Sequence, residues 1–237
     1  MTSMRPVFLT AFLLFILLSK IPVAEGNALF GNLADLEISG TISAVQYADR
    51  HMDVSIQNGN LRGTVTADDY HSRGLNLSVS PSEIVGSFGS KGVRPRFIDF
   101  GIHGNTLEGS VQAEGYEPRL LTLTMDKGTV EGTLSAAGYS DRTISLSLND
   151  QGVTGTVEAQ GFSTREMNFQ IVGNIFQGTI SADGSSDRSV SLNLSRVDPG
   201  TVRMVLFLLF LDMKLLAQRA GGTQFTSLNL NTNLNLP

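Results

Sequence analysis

Hydrophobic and polar residues alternate along most of the chain, and the alternating pattern recurs every 23 residues. Seven copies carry a glycine at the same place, and a shortened eighth copy begins at Gly200 after 22 residues. The repeat glycines are Gly40, Gly63, Gly86, Gly109, Gly132, Gly155 and Gly178. Each is followed by a hydroxyl residue and an apolar residue, and three alternating apolar residues occupy the second half of the copy. A period of two is typical of half-buried strands, so each copy is predicted to form two strands.

The turn inside the first copy sets how its two strands pair. Asn58 and Gly59 both accept the positive φ angles of a two-residue type I′ hairpin turn. Pairing outward from this turn places Ile56 opposite Leu61 and puts the apolar residues of the hairpin on one face. A shift of one residue would mix the two faces, which fixes the register. A β-solenoid with one coil per copy is the alternative, but two-residue turns favour hairpins.

The apolar face of these hairpins has to be covered. We predict an all-β fold, an antiparallel meander of about 15 short strands curled into a barrel or a folded-over sheet. The repeat glycines lie on the apolar face, where either the sheet bends or a second element approaches. The run from Val202 to Arg219 is apolar on nearly all sides, so it is predicted to be a buried helix, packed on or inside the sheet. In domain terms the helix covers residues 202–220, and a Leu/Asn tail follows at 221–237.

Residues 1–26 have the character of a secretory signal peptide. Arg5 gives a positive start, residues 7–18 form an apolar core, and residues 24–26 (Ala-Glu-Gly) form a small-x-small exit. We expect cleavage after residue 26, which leaves residues 27–201 as the repeat domain; an uncleaved anchor helix is the alternative. The protein is therefore expected to be exported, to a periplasm, a cell surface or the medium.

Composition narrows the chemistry further. The chain has no Cys, which excludes disulfides and thiolate metal sites, and its three His fall in different slots of different copies. Neither a metal-ligand spacing nor a nucleophile motif occurs, so we expect no enzyme activity, no metal and no cofactor. The net charge is −5, and loss of two basic residues and one acidic residue with the signal peptide changes it to −6. This balance argues against a nucleic-acid partner.

One slot of the repeat holds an arginine in all seven copies. These residues are Arg50, Arg73, Arg96, Arg119, Arg142, Arg165 and Arg188. The register places each at the rim of the apolar face, next to a turn that often carries an aromatic residue. The aromatic residues are Tyr47, Tyr70, Tyr116, Tyr139 and Phe162. The structural interpretation is that the arginine stems cover apolar surface while the guanidiniums reach water, stack on the aromatic ring, or pair with Asp49, Asp141 or Asp187.

The recognition interpretation of the same arginines is a binding row. Arginines on every second strand stand about 9.5 Å apart and present forked donors that match phosphate or sulfate groups. If the sheet closed into a barrel, the row would become a cationic ring at one mouth. The expected partners are then an anionic glycan, a lipid or another envelope protein, and association with a membrane is left open.

The resulting functional prediction is an exported, non-enzymatic repeat protein with a structural or binding role at the cell envelope or outside the cell. An outer-membrane β-barrel, such as a channel, is the main alternative. Its strands need about 9–11 residues and longer loops on one side, whereas here the strands offer seven or eight residues and both sets of turns are tight. The threonine column on the polar face also allows ice binding, but the adjoining slot varies too much for a flat surface.

Overall fold

The structure is a computed structural model that describes residues 29–31, 33, 35–45, 47–67, 70–90, 94–184 and 186–212. The predicted signal peptide, the tail at 221–237 and residues 213–220 of the predicted helix lie outside the described residues.

The described residues form fourteen β-strands followed by one helix. The strands are β1 (Leu36–Ala44), β2 (Tyr47–Gln57), β3 (Asn60–Ala67), β4 (Tyr70–Val79), β5 (Glu83–Ser90), β6 (Arg96–His103), β7 (Thr106–Ala113), β8 (Arg119–Met125), β9 (Thr129–Ala136), β10 (Arg142–Asn149), β11 (Gly152–Ala159), β12 (Arg165–Val172), β13 (Ile175–Ala182) and β14 (Arg188–Leu194). The helix, α1, is Pro199–Asp212.

The strands form a closed antiparallel barrel in which each strand pairs with its neighbours in the chain and β1 pairs with β14. The predicted meander is confirmed, and the solenoid alternative is wrong because neighbouring strands run in opposite directions. The predicted register is confirmed as well: Ile56 lies opposite Leu61, and Asn58 and Gly59 have φ angles of 50° and 74°. The local turn chemistry therefore fixed the pairing that the whole sheet repeats.

Closure explains why the barrel has fourteen strands and not the fifteen expected from the repeat. Gly40 of β1 lies opposite Leu192 of β14, just as Gly63 lies opposite Val54 within the first hairpin. The first strand thus occupies the place beside β14 that an eighth copy would otherwise fill. The eighth copy, at Gly200, enters α1 instead.

A local cap starts the helix at this point. The Asp198 carboxylate accepts hydrogen bonds from the backbone N–H of Thr201 at 2.9 Å and from its hydroxyl at 3.0 Å. Pro199 occupies the first helical position, where its missing N–H costs no hydrogen bond. The helix therefore begins three residues before the predicted start at Val202.

The apolar face of the sheet points into the barrel, and α1 fills the lumen. Fourteen strands spaced about 4.8 Å apart and tilted about 40° give a backbone diameter of about 28 Å. A helix is about 10–12 Å across, which leaves about 8 Å on each side for one layer of strand side chains. The helix is buried all round: the residues from Met204 to Leu211 are at most 3% exposed. The prediction of a buried helix is confirmed, and of the two predicted positions the helix takes the one inside the curled sheet.

The helix runs from the end of the two-residue turns toward the arginine end. Near its start, Arg203 donates hydrogen bonds to the carbonyl of Leu29 at 2.9 Å and to the carbonyl of Asp126, in a tight turn, at 3.1 Å. One turn later, Phe207 packs edge-on against Phe100 in the middle of β6, with ring centroids 5.5 Å apart. The C-terminal half of α1 therefore points to the mouth where the arginines lie.

The glycine column reflects the curvature of the sheet. At all seven repeat glycines an added Cβ would overlap a backbone carbonyl oxygen of the adjacent strand, such as that of Asp53 at Gly63 and that of Thr122 at Gly132. The atoms that come closest to each repeat glycine belong to the neighbouring strand, an approach that fits a closed and curved sheet.

Candidate functional site

The seven arginines form a ring on the inner wall at one mouth of the barrel. They stand on the even-numbered strands, β2 to β14, at the same level in each. Each lies opposite an alanine or serine, as Arg142 does opposite Ala159 and Arg73 opposite Ser90. Because β14 and β2 are both neighbours of β1, Arg188 and Arg50 are also two strands apart, and the spacing is even around the whole mouth. We call this set the arginine ring.

Burial is deepest at Arg142, which is only 5% exposed, whereas the other six arginines of the ring are half-buried. We call Arg142 and its two neighbours in the ring, Arg119 and Arg165, the buried arc. Burial lowers the pKa of all three guanidiniums. For Arg165, burial and then the charges of Arg142 and Arg188 lower the pKa to about 10. These groups stay charged at neutral pH, so the fold holds like charges together in a partly desolvated place.

The other members of the ring make contacts of their own. The guanidinium of Arg73 lies 5.8 Å from the centre of the Phe88 ring, a cation–π contact with a core residue. Arg50, Arg96 and Arg188 also take part in polar or ring contacts. These arginines therefore make contacts within the protein, as the structural interpretation expects, whether or not they also bind a ligand.

The aromatic residues next to the turns occupy several environments. Tyr47 and Tyr116 are about 70% exposed at the rim, and Tyr139 and Phe162 are half-buried. Burial lowers the pKa of Arg119, and the phenol of Tyr139 acts on that pKa in the opposite direction. The side chain of Tyr70 lies outside the described residues. The sequence analysis did not predict that Arg73 would contact Phe88. Phe88 occupies the apolar position that follows the Gly-Ser or Gly-Thr pair in every copy of the repeat.

Acidic residues are kept away from the inner wall. Every carboxylate within the strands points outward and is exposed. These residues are Glu37, Asp49, Asp53, Glu83, Asp99, Glu108, Glu131, Glu158 and Glu166. The inner wall, at the strand positions that the structure describes, therefore carries arginine and apolar side chains together with Ser90, and no carboxylate. The ring arginines and the strand carboxylates thus lie on opposite faces of the sheet.

The turns at the arginine end, together with the start of β2, add an acidic rim around that mouth. Its exposed residues are Asp49, Glu114, Glu117, Asp141, Asp183 and Asp187. We call this set the acidic collar. The sequence analysis considered three of its members only as partners for the arginines, because their arrangement around a common mouth depends on closure.

A separate hollow of about 450 Å³ lies on the outer wall. Its lining includes Asp99, Gly101, Glu108, Leu120 and Thr122. It contains none of the predicted site residues.

Among the residues described, no group of three or more His, Asp or Glu side chains is arranged to hold a metal ion. Within the same residues there is no helix both long and apolar enough to cross a membrane. Comparison with protein-family models, with curated proteins and with solved structures finds no match.

Proposed function

We propose that the protein is an exported, non-enzymatic binding protein whose arginine ring takes up an anionic group of a glycan or lipid at the cell envelope or outside the cell. The single observation that carries this proposal is the convergence of seven arginines on the inner wall of one mouth, with the strand carboxylates on the outer wall.

Energetics support an anion as the natural occupant. Burial lowers the pKa of Arg142 and of Arg165, and neighbouring charges lower both pKa values further. The neighbouring charge is that of Arg119 for Arg142, and those of Arg142 and Arg188 for Arg165. Arginines on alternate strands therefore repel one another. A bound anion would relieve this repulsion and would accept hydrogen bonds from the forked guanidinium donors.

The polar outer wall favours a water-exposed barrel over an outer-membrane barrel. A membrane barrel faces lipid with an apolar band and keeps its polar residues inside. Here the apolar residues line the lumen and the exposed strand residues are largely Ser, Thr, Asn, Asp and Glu. In addition, α1 occupies the space that a channel would need. Detergent phase partitioning tests this point, because recovery in the detergent phase would favour the membrane alternative.

Substitution of the buried arc tests the proposed binding. A triple variant, Arg119→Gln, Arg142→Gln and Arg165→Gln, is compared with Arg62→Gln, which removes one exposed arginine from the outer wall. The probes are a heparin-type sulfated polysaccharide and vesicles that contain phosphatidylglycerol. We expect the triple variant to lose at least about tenfold in affinity at an unchanged melting temperature, while Arg62→Gln binds like the wild type. A large loss of stability without a specific loss of binding would leave the arginines with a structural role.

A further inference from the structure

We infer that the hollow on the outer wall is a docking surface for a partner protein that inserts a basic side chain flanked by apolar residues. This surface lies on the opposite face of the sheet from the arginine ring, so the inference does not depend on the proposed function.

Cross-strand pairing brings the residues of the hollow together. On the outer wall Asp99 of β6 lies opposite Ser110 of β7, and Ser110 lies opposite Leu120 of β8. Glu108 is two residues before Ser110 on β7 and therefore points to the same face. The small side chain of Ser110 is thus framed by two carboxylates and a leucine, and these four residues line the hollow of about 450 Å³.

Two large apolar side chains are exposed at this place on a wall that is otherwise mainly polar. Leu120, in the lining, is 52% exposed, and Phe97, two residues before Asp99 on the same face of β6, is 56% exposed. Phe97 and Leu120 occupy one slot of consecutive copies. The other five copies hold His51, Gly74, Thr143, Glu166 and Ser189 in that slot. The repeat architecture therefore does not require an apolar residue here, and the pair forms a local contact surface.

The two carboxylates of the hollow have no basic neighbour on this wall. At the positions that the structure describes, strands β5 to β9 present no Lys or Arg on their outer face. Glu83 and Glu131, on the same face of β5 and β9, add further negative charge. The outer wall around the hollow is therefore electronegative, and a cationic partner complements it.

A lysine or arginine side chain matches both parts of the lining. Its aliphatic stem would pack on Leu120 while its charged head lies between Asp99 and Glu108. An arginine would serve both carboxylates at once through its forked donors. Apolar residues beside it in the partner would cover the exposed rings and methyl groups of Phe97 and Leu120.

Topology and charge argue against other modes of docking. The barrel is closed, so it offers no free strand edge to which a partner could add a strand, and recognition has to use side chains of the wall. A second copy docked symmetrically through the same face would bring Asp99 and Glu108 of both copies together. The same carboxylates would repel an anionic glycan.

An NMR titration of the ¹⁵N-labelled full chain with two tripeptides tests this inference. The probes are acetyl-Leu-Arg-Leu-amide and acetyl-Leu-Gln-Leu-amide, which differ in the basic side chain. We expect the arginine peptide to bind at least about tenfold more tightly, to shift the amide signals of β6 to β8 most, and to lose affinity as salt is added. Equal binding of the two peptides, or binding of neither, would overturn the inference.

Matched variants locate the binding on the wall. Asp99→Asn combined with Glu108→Gln should weaken the arginine peptide at least about tenfold at an unchanged melting temperature. Asp53→Asn combined with Glu166→Gln removes the same charge from exposed positions elsewhere on the outer wall and should bind like the wild type. If both double variants weakened binding equally, the attraction would be that of the whole acidic wall and the hollow would not be a docking surface.

A Leu120→Ser variant tests the apolar part of the surface and the alternative of a second copy. It should weaken the arginine peptide, whereas Val172→Ser, which alters a 54% exposed residue of β12, should not. In sedimentation velocity, self-association of the wild type that Leu120→Ser abolishes would make a second copy the occupant, and the inference would be wrong. None of these outcomes bears on the proposed function, because none of the variants alters the arginine ring.

Discussion

Replacement of Phe207 by alanine tests whether α1 is an integral part of the barrel core. The Phe207 side chain is fully buried, and it packs against Phe100 of the barrel wall and against Phe30 of the N-terminal segment. Its loss would therefore open a cavity at the point where helix, wall and N-terminal segment meet.

The expected cost is large. Truncation of a buried Phe to Ala typically costs about 3–5 kcal/mol, because the lost transfer energy adds to the cost of the cavity. The two ring contacts account for about 0.5–1.5 kcal/mol each within that total. Against a typical unfolding free energy of about 5–15 kcal/mol, this would remove at least about a fifth of the stability.

Two further variants serve as controls for Phe207→Ala. Phe207→Leu keeps most of the volume and should cost less than about 1.5 kcal/mol, which keeps the test informative if the alanine variant does not fold. Phe97→Ala removes the same ring from the outer wall, where it is 56% exposed, and should change the stability by about 0.5 kcal/mol or less.

Urea unfolding followed by far-ultraviolet circular dichroism is the appropriate assay, because the chain has no Trp for fluorescence. The midpoint should fall most for Phe207→Ala, less for Phe207→Leu and least for Phe97→Ala, with similar m values. If Phe207→Ala and Phe97→Ala lost the same amount, the helix would not belong to the cooperative core and the packing argument would fail.

Three other predictions follow from the curvature, the helix cap and the arginine ring. Gly132→Ala should cost about 1–3 kcal/mol, because the new Cβ would overlap a backbone carbonyl oxygen of the adjacent strand. In the control Gly128→Ala the new Cβ would lie 3.5 Å from the nearest atom, so the stability should change by no more than about 0.5 kcal/mol. Equal urea midpoints for the two variants would refute the curvature argument. Asp198→Ala should cost about 0.5–2 kcal/mol in the same assay, and Asp198→Asn should cost less because it keeps an acceptor for Thr201. An Asp198→Ala variant as stable as the wild type would show that the cap is dispensable. Added phosphate should raise the melting temperature of the wild type more than chloride of equal ionic strength does. The triple Gln variant of the buried arc should not show this difference. An equal rise of the wild-type melting temperature in both salts would speak against a specific anion site.

Local features of the chain determined the strands and their pairing. The two-residue turn at Asn58 and Gly59 acts within one hairpin, so the alternation on either side of it was sufficient to place Ile56 opposite Leu61 and Gly63 opposite Val54. The same alternation put the arginines on the apolar face. The hydrophobicity of the run from Val202 onward was sufficient to predict that a helix would be buried.

Tertiary structure decided what the repeats enclose. Whether the last strand meets the first depends on the tilt and twist accumulated over the whole sheet, and a constant 23-residue period is equally compatible with an open sheet. The pairing of Gly40 with Leu192 closed the ring, displaced the eighth copy into α1 and so supplied the element that fills a lumen too wide for strand side chains alone. Closure also turned a row of arginines into a ring with an acidic collar, because residues far apart in the chain meet around one mouth only when the two ends of the sheet join.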